Sequence, residues 1–172
     1  MINRRNFLFF TVGLLPGCGF RLRGTAELAG KLPQRIRIET TDPYSPFIKE
    51  IIRQLTEQGT SVIASGSSPV LKLTLPISYK RILGPVSKGK QTELTLELKY
   101  SLIGSDLIEL IPETKIRTTL FYVDRGEDTS AEDQRLIQLQ DSLESDLLRQ
   151  IVPSIRVRYD QALKQLSPTK VN

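Results

Sequence analysis

The residue types in this sequence limit the chemistry that it can perform. No histidine occurs among the 172 residues, and Cys18 is the single cysteine. These counts exclude a histidine general base, a Ser-His-Asp or Cys-His nucleophile, a histidine-ligated metal and an intrachain disulfide. Carboxylates and basic side chains therefore remain as the groups able to act. Because 24 Lys and Arg outnumber 19 Asp and Glu, the net charge of +5 favours anionic partners.

Two glutamates are the best candidates for catalysis. Glu93 and Glu97 fall on one face of a predicted strand, and paired carboxylates are the groups that cleave glycosidic bonds. The alternative is the solvated face of a half-exposed strand, since they alternate with Thr95 and Lys99. The sequence has no phosphate-binding loop, nucleotide fingerprint or metal-ligand spacing. We therefore predict no enzymatic activity, no catalytic residues, no cofactor and no metal.

A group of basic residues is a better candidate for a binding site. Lys80 and Arg81 end one predicted strand, and Lys88 and Lys90 follow at the far side of a turn-rich stretch. If the flanking strands form a hairpin, these cations gather at one end of the sheet, with no acid among them, and attract phosphate groups. The alternative is a solvated turn, because such clusters are common on protein surfaces. Tyr79 is the one aromatic residue close by, so we expect no nucleic-acid partner.

The first 17 residues have the layout of an export signal. Arg4 and Arg5 precede an apolar run at 7–15, and these nine residues are too few to span a bilayer as a helix. The alternative is a buried N-terminal helix or strand. The paired arginines also match a twin-arginine motif loosely, so the sequence leaves the export route open.

The segment Leu15-Pro16-Gly17-Cys18 resembles a bacterial lipobox. The resemblance implies cleavage before Cys18 and lipidation of its thiol, and Gly19 rather than Asp implies sorting to the outer membrane. A single cysteine in a secreted protein needs an explanation, and diacylation supplies one. We therefore predict a lipid anchor at Cys18, a single domain over 18–166 and a disordered tail at 167–172.

Hydrophobic periodicity predicts the elements that must hold the candidate residues. Alternation predicts strands over 34–40, 71–77, 93–102 and 115–123, with a short edge strand at 62–64 and a turn-rich stretch at 84–90. Pro76 indicates an edge or a bulge. An apolar stripe predicts a helix over 47–58, and a capping box at 129–132 opens a second long helix.

The predicted fold class is α+β, a two-layer sandwich with a mainly antiparallel sheet of about four strands and two long helices packed on one face. Pro153 stops or kinks the second helix, and the apolar spacing after it is compatible with a third, shorter helix. The sequence has a second group of basic residues that could offset the dipole at the end of a helix: Arg149, Arg156 and Arg158.

The N-terminal sequence after the lipobox identifies a family. Cys18-Gly19-Phe20-Arg21-Leu22-Arg23 resembles the mature start of the LPS-assembly lipoprotein LptE (rare lipoprotein B) family. Three further stretches agree with that family in order and spacing: Asp42-Pro43 before the first helix, Lys88-Gly89-Lys90-Gln91-Thr92 before the longest strand, and Pro153-Ser154-Ile155-Arg156 near the end of the last long helix.

The resemblance implies an outer-membrane lipoprotein that faces the periplasm, plugs the LptD β-barrel and helps to deliver lipopolysaccharide to the outer leaflet. It also implies that Lys88, with Lys90 adjacent, is the basic position for lipopolysaccharide contact. A second basic position of the family, at the start of the last long helix, is not matched, because this sequence has Ser130-Ala131-Glu132-Asp133 there. A periplasmic lipoprotein that binds another anionic polymer, such as peptidoglycan, is the alternative.

Overall fold

The computed structural model describes residues 30–87, 89–126 and 130–166. The predicted signal and Cys18, Lys88, Thr129 of the capping box and the tail predicted at 167–172 lie outside the described residues. Within the described ranges, six strands and two helices follow one another: β1 Arg35–Thr40, α1 Pro46–Glu57, β2 Ser61–Val62, β3 Val70–Leu73, β4 Ile77–Val86, β5 Gly89–Ile103, β6 Glu109–Asp124 and α2 Ser130–Leu166.

The sheet is built around β5. On one side β5 pairs with β6 along nearly its full length; on the other side its first part pairs with β4 and its last part with β3, all antiparallel. β1 then pairs in parallel with both β3 and β2. The α+β class and the mainly antiparallel sheet are confirmed. The sheet has six strands rather than about four, because the short strand β2 joins it beside β1 and the region after Pro76 forms a strand of its own.

The break between β3 and β4 falls at the expected interruption. Pro76 has no N–H for the ladder, and the preceding Thr74 bonds to β5 in its place. The Thr74 N–H donates to the carbonyl oxygen of Lys99 at 3.0 Å, and Thr74 Oγ1 accepts the Lys99 N–H at 2.9 Å. A single strand over 71–77 is therefore wrong, although the irregularity predicted from Pro76 is present.

Most of the stretch predicted as a turn, 84–90, is strand. Val86 of β4 pairs with Gly89 of β5, so only two residues separate the strands. The register shifts between Ile82 and Gly84, which places the glycine at an irregular part of the ladder. Gly89 has a φ of +147°, and a Cβ there would clash with the carbonyl oxygen of Asp124. Glycine is therefore required where the hairpin passes the end of β6.

Both helices pack through apolar stripes onto one face of the sheet. In α1, the predicted stripe is buried at Phe47, Ile48, Ile51 and Leu55. The matching face of β5 contributes the alternating residues Leu94, Leu96, Leu98, Tyr100 and Leu102 to the same core. These contacts confirm the predicted arrangement of the layers.

α2 continues through Pro153 as one helix of 37 residues, about 55 Å long at 1.5 Å per residue. The further helix considered after Pro153 is therefore part of α2. A proline inside a helix removes one backbone hydrogen bond. Val152 and Ile155 beside it are completely buried, so core packing holds the helix together across the proline.

The buried stripe of α2 leads to a prediction about stability. Ile151 is completely buried, whereas Ile137 on the same helix is 56% exposed. Ile151→Ala should lower the free energy of unfolding by about 2 to 5 kcal/mol, because it removes buried methylenes and leaves a cavity. Ile137→Ala should change it by less than about 0.5 kcal/mol. Urea unfolding measures both, and equal losses would contradict the placement of the helix.

Candidate functional site

The basic residues of the β4–β5 hairpin are divided between the two faces of the sheet. Lys80 and Arg81 are consecutive in β4, so their side chains point in opposite directions. Lys80 lies on the helix side, where its Nζ is 2.7 Å from Asp124 Oδ2 and 5.9 Å from the centre of the Tyr122 ring. Arg81 lies on the outer face, in register with Glu93. The expected gathering of these cations without an acid among them is therefore wrong.

Asp124 is the acid at this end of the sheet. It lies in register with Lys90, which is exposed. The hydrogen bond from Lys80 lowers the pKa of Asp124 most, and the Gly126 N–H and the charge of Lys90 lower it further. In return, the carboxylate raises the pKa of Lys80. Lys80 is thus already paired, whereas Lys90 makes no ion pair with any of the residues that the structure describes.

The outer face of the sheet carries a second set of charges, centred on Glu97. Arg117 Nη2 lies 2.8 Å and Lys115 Nζ 3.6 Å from the Glu97 carboxylate. The Arg117 hydrogen bond is the main cause that lowers the pKa of Glu97. On the same face, Lys99 Nζ is 3.0 Å from Glu113. This face is therefore polar and largely charge-compensated, and Glu97 is held ionised by its neighbours.

The geometry does not favour Glu93 and Glu97 as a catalytic pair. They are four residues apart in β5, so their Cα atoms lie about 13 Å apart along an extended strand. The two catalytic carboxyl groups of glycosidases lie about 5 to 10 Å apart. Glu97 is also occupied by Arg117 and Lys115. These contacts support the alternative of a structural strand face, although Glu97 is only 7% exposed rather than solvated.

A set of exposed apolar side chains, divided between the two faces of β4, was missed from the sequence. They are Ile77, Tyr79, Ile82, Leu83 and Val86. Within the described residues, β4 pairs with β5 alone, so its outer edge is free. The available signal was the adjacent pair Ile82-Leu83, but the glycine and proline that follow it favoured a turn.

Two further findings concern metals and membranes. In the described ranges, no group of three or more carboxylate, thiol or imidazole side chains is placed to hold a metal ion. Neither of the two described helices, α1 and α2, combines the length and the apolar composition that are needed to cross a bilayer.

The geometry defines an α+β domain built on one curled, mixed sheet, and its fold is found in a solved bacterial lipoprotein. A minor lipoprotein from Acinetobacter baumannii superposes with a TM-score of 0.61 at 16% identity, over 73% of this chain and 92% of that one. The profile of the LptE family, described as lipopolysaccharide-assembly, matches residues 33–155. The chain therefore belongs to the LptE family, which confirms the resemblance found at the N-terminus.

Curated relatives carry the same family name. The LPS-assembly lipoprotein LptE of Photorhabdus laumondii is 34% identical over 94 residues, which are 52% of this chain and 51% of that protein. The LPS-assembly lipoprotein LptE of Pectobacterium atrosepticum is 27% identical over 150 residues, 83% of this chain and 74% of that protein. The first of these matches thus spans about half the length of the relative.

The ion pairs of Glu97 predict a pH-dependent contribution to stability. The folded state lowers the pKa of Glu97 below its ordinary value of 4.5. The ionised carboxylate therefore stabilises the fold at pH values above 4.5, and this stabilisation is lost as the pH falls through the pKa of Glu97 in the folded state. Glu97→Gln should therefore destabilise the protein at pH 7, and the difference from the parent should shrink below about pH 4.5.

Chemical unfolding of both proteins at several pH values measures this difference. Glu109→Gln, which removes an exposed carboxylate from β6, is the control and should have a smaller effect at pH 7. If Glu97→Gln lowers the free energy of unfolding by the same amount at pH 7 and well below pH 4.5, the ion pairs are not the cause of the destabilisation.

Proposed function

We propose that this chain is an outer-membrane lipoprotein that plugs and helps to assemble the LptD β-barrel, and that it assists delivery of lipopolysaccharide to the outer leaflet. Membership of the LptE family supports the role in lipopolysaccharide assembly. The names of the curated relatives support it too. In this proposal the protein acts through binding and position, and it catalyses no reaction.

The proposed attachment to the membrane is through acyl chains on Cys18, on the periplasmic side. The lipobox ending at Cys18 and the following Gly19 support this arrangement. Each buried methylene contributes about 0.8 kcal/mol, so several chains hold a folded domain at the membrane stably. In the same proposal, residues 1–17 are removed as the signal, 18–166 form the domain and 167–172 are its tail.

The observation that supports contact with the barrel is the exposure of apolar side chains on strand β4. Its ten residues include five exposed large apolar side chains, among them Ile82 at 57% and Ile77 at 54%. A long apolar edge strand promotes unwanted pairing unless something covers it, and exposed apolar patches mark interaction surfaces. We therefore assign β4 to the contact with the barrel.

The outer face of the sheet supports the same arrangement. Glu97, Arg117 and Lys115 compensate one another there, as do Lys99 and Glu113. The interior of a membrane β-barrel is polar. The compensated charges on this face of the sheet suit contact with a polar barrel interior.

The hairpin supplies the proposed contact with the glycolipid. Lys88 and Lys90 are its main residues, with Arg81 on the outer face and Lys80 on the other. Phosphate groups of lipid A would pair with Lys90, because its charge is only partly offset by Asp124. Lys80 contributes less in this arrangement, since it is held by Asp124.

The β4 assignment is tested by purification of the complex. In outer membranes solubilised with detergent, the chain with Ile82→Lys should recover at least about tenfold less of the barrel protein than the parent, because a buried unpaired charge costs more than 1.4 kcal/mol. Immunoblotting of the co-purified barrel gives the ratio.

Ile137→Lys is a matched control, because Ile137 is as exposed as Ile82 but lies on α2. It should leave recovery of the barrel unchanged. Equal recovery with both variants would remove β4 from the interface. Recovery of peptidoglycan fragments in place of any barrel from the parent protein would favour the anionic-polymer alternative.

The anchor predicts a loss of membrane attachment in Cys18→Ala. This variant should incorporate no radiolabelled palmitate, because the sequence has no other cysteine. It should also move from the membrane fraction to the soluble periplasmic fraction after cell lysis. Palmitate label that persists in the variant would contradict attachment through Cys18.

A further inference from the structure

A groove runs between the edge of β6, which pairs with β5 alone within the described residues, and the side of α2. It has a volume of about 700 Å³. Its described lining contains four cationic side chains and no acidic one: Lys115 and Arg117 from β6, and Arg149 and Arg158 from α2. Apolar surface between them comes from Ile116, Pro153 and Val157. The described lining of the groove thus combines cationic and apolar side chains.

The cations of the groove are only partly compensated. Glu97 accepts both Lys115 and Arg117 from the outer face of the sheet, and Asp146 pairs with Arg149. These two acids are shared among four cations. Within the described residues, Arg158 has no carboxylate in ion-pair contact. The groove thus keeps a positive charge, and Glu97 fixes the positions of two of the cations.

A buried hydroxyl organises the base of the groove beside Arg158. The Tyr100 hydroxyl lies 2.6 Å from Ser154 Oγ, and Tyr100 is only 1% exposed. Burial raises the pKa of Tyr100, while Ser154 and Arg158 act on the same hydroxyl in the opposite sense. Arg158 follows Ser154 by four residues, about one helical turn, on α2, so the two residues share a side of the helix and both line the groove.

Arg149 and Arg158 flank the groove at two separate points. They are nine residues apart on α2, which is about 14 Å along the helix axis and half a turn around it. The two guanidinium groups therefore approach the groove from opposite flanks of the helix. A ligand with anionic groups at two places and an apolar portion between them would match this spacing.

We propose that the groove binds a phosphorylated lipid headgroup, with its phosphates on Arg149 and Arg158 and its apolar part against Pro153 and Val157. Guanidinium groups bind phosphate oxygens in bidentate fashion. The described lining of the groove includes no exposed aromatic ring, since Tyr100 beneath it is buried, so these residues offer no platform for stacking of nucleic-acid bases. The inference rests on the proposed function, in which that headgroup belongs to lipopolysaccharide, and it adds a site that is separate from the hairpin.

The groove and the hairpin are far enough apart for their effects to be measured separately. Arg117 at the groove and Asp124 beside Lys90 are seven residues apart in β6, which is about 24 Å along an extended strand. A substitution at one place therefore leaves the contacts of the other intact.

The test measures binding of lipid A to the full mature protein in detergent. Arg149→Gln combined with Arg158→Gln should weaken binding at least about tenfold, since it removes two charge-assisted contacts. Arg53→Gln combined with Arg135→Gln is the control, because it removes the same charge from two ion-paired helix positions outside the groove. Its affinity should equal that of the parent. Chemically dephosphorylated lipid A should bind the parent and the groove variant equally weakly.

The outcomes separate the groove from the proposed function. Equal affinities of the groove and control variants for lipid A would contradict the proposed binding site in the groove. Undiminished binding of dephosphorylated lipid A by the parent would contradict it as well. Loss of affinity only in Lys88→Asp combined with Lys90→Asp would also overturn the groove but would support the hairpin contact. Failure of the parent to bind lipid A would overturn both glycolipid contacts, while recovery of the barrel would still test the plug.

A photo-crosslinking residue gives a second measurement that does not depend on charge. Placed at Val157, which is 42% exposed in the groove, it should form an adduct with lipopolysaccharide in cells. The same residue at Ile137 on α2 should form none. Adducts of equal yield at both positions, or none at Val157, would contradict binding in the groove.

Discussion

The pairing of β5 on both sides is the constraint on which the rest of the structure depends. Its backbone bonds to β6 along one side and to β4 and β3 along the other. Its alternate side chains, from Leu94 to Leu102, form the centre of the core under α2. Because this one strand occupies the middle of the sheet, β4 and β6 become edges. The two surfaces assigned to partners, the apolar edge and the basic groove, lie along those edges.

The sequence predicted the elements whose side chains alternate between a buried and an exposed face. β1, α1 and β5 have such patterns, and burial against one layer follows directly from them. β4 was missed because neither of its faces is buried, so no period could appear in its residues. Gly84 and Pro85 are residue types that favour turns, and they follow the point where the pairing of β4 with β5 becomes irregular. Residues that pack on neither side against the rest of the chain carry little periodic pattern.

The candidate site was predictable in composition but not in geometry. The sequence placed Lys80, Arg81 and Lys90 near a hairpin, which is correct. It could not show that Asp124, more than forty residues from Lys80, pairs with that lysine. The contact depends on the register of three strands, and a shift of one residue would reverse every side chain. The same register brings Arg117 and Lys115 to Glu97 and places the groove beside them.

The late position of α2 in the chain has a consequence for biogenesis. Synthesis delivers the six described strands before the 37 residues of α2, and those residues include five that complete the core: Leu143, Leu147, Ile151, Val152 and Ile155. The part of the apolar side of the nascent sheet that α2 covers therefore stays exposed until this helix emerges, and α1 alone is available to cover the rest. Such intermediates aggregate readily. A holding chaperone would be needed most during that interval, and a truncated product ending before α2 would be a substrate for proteases.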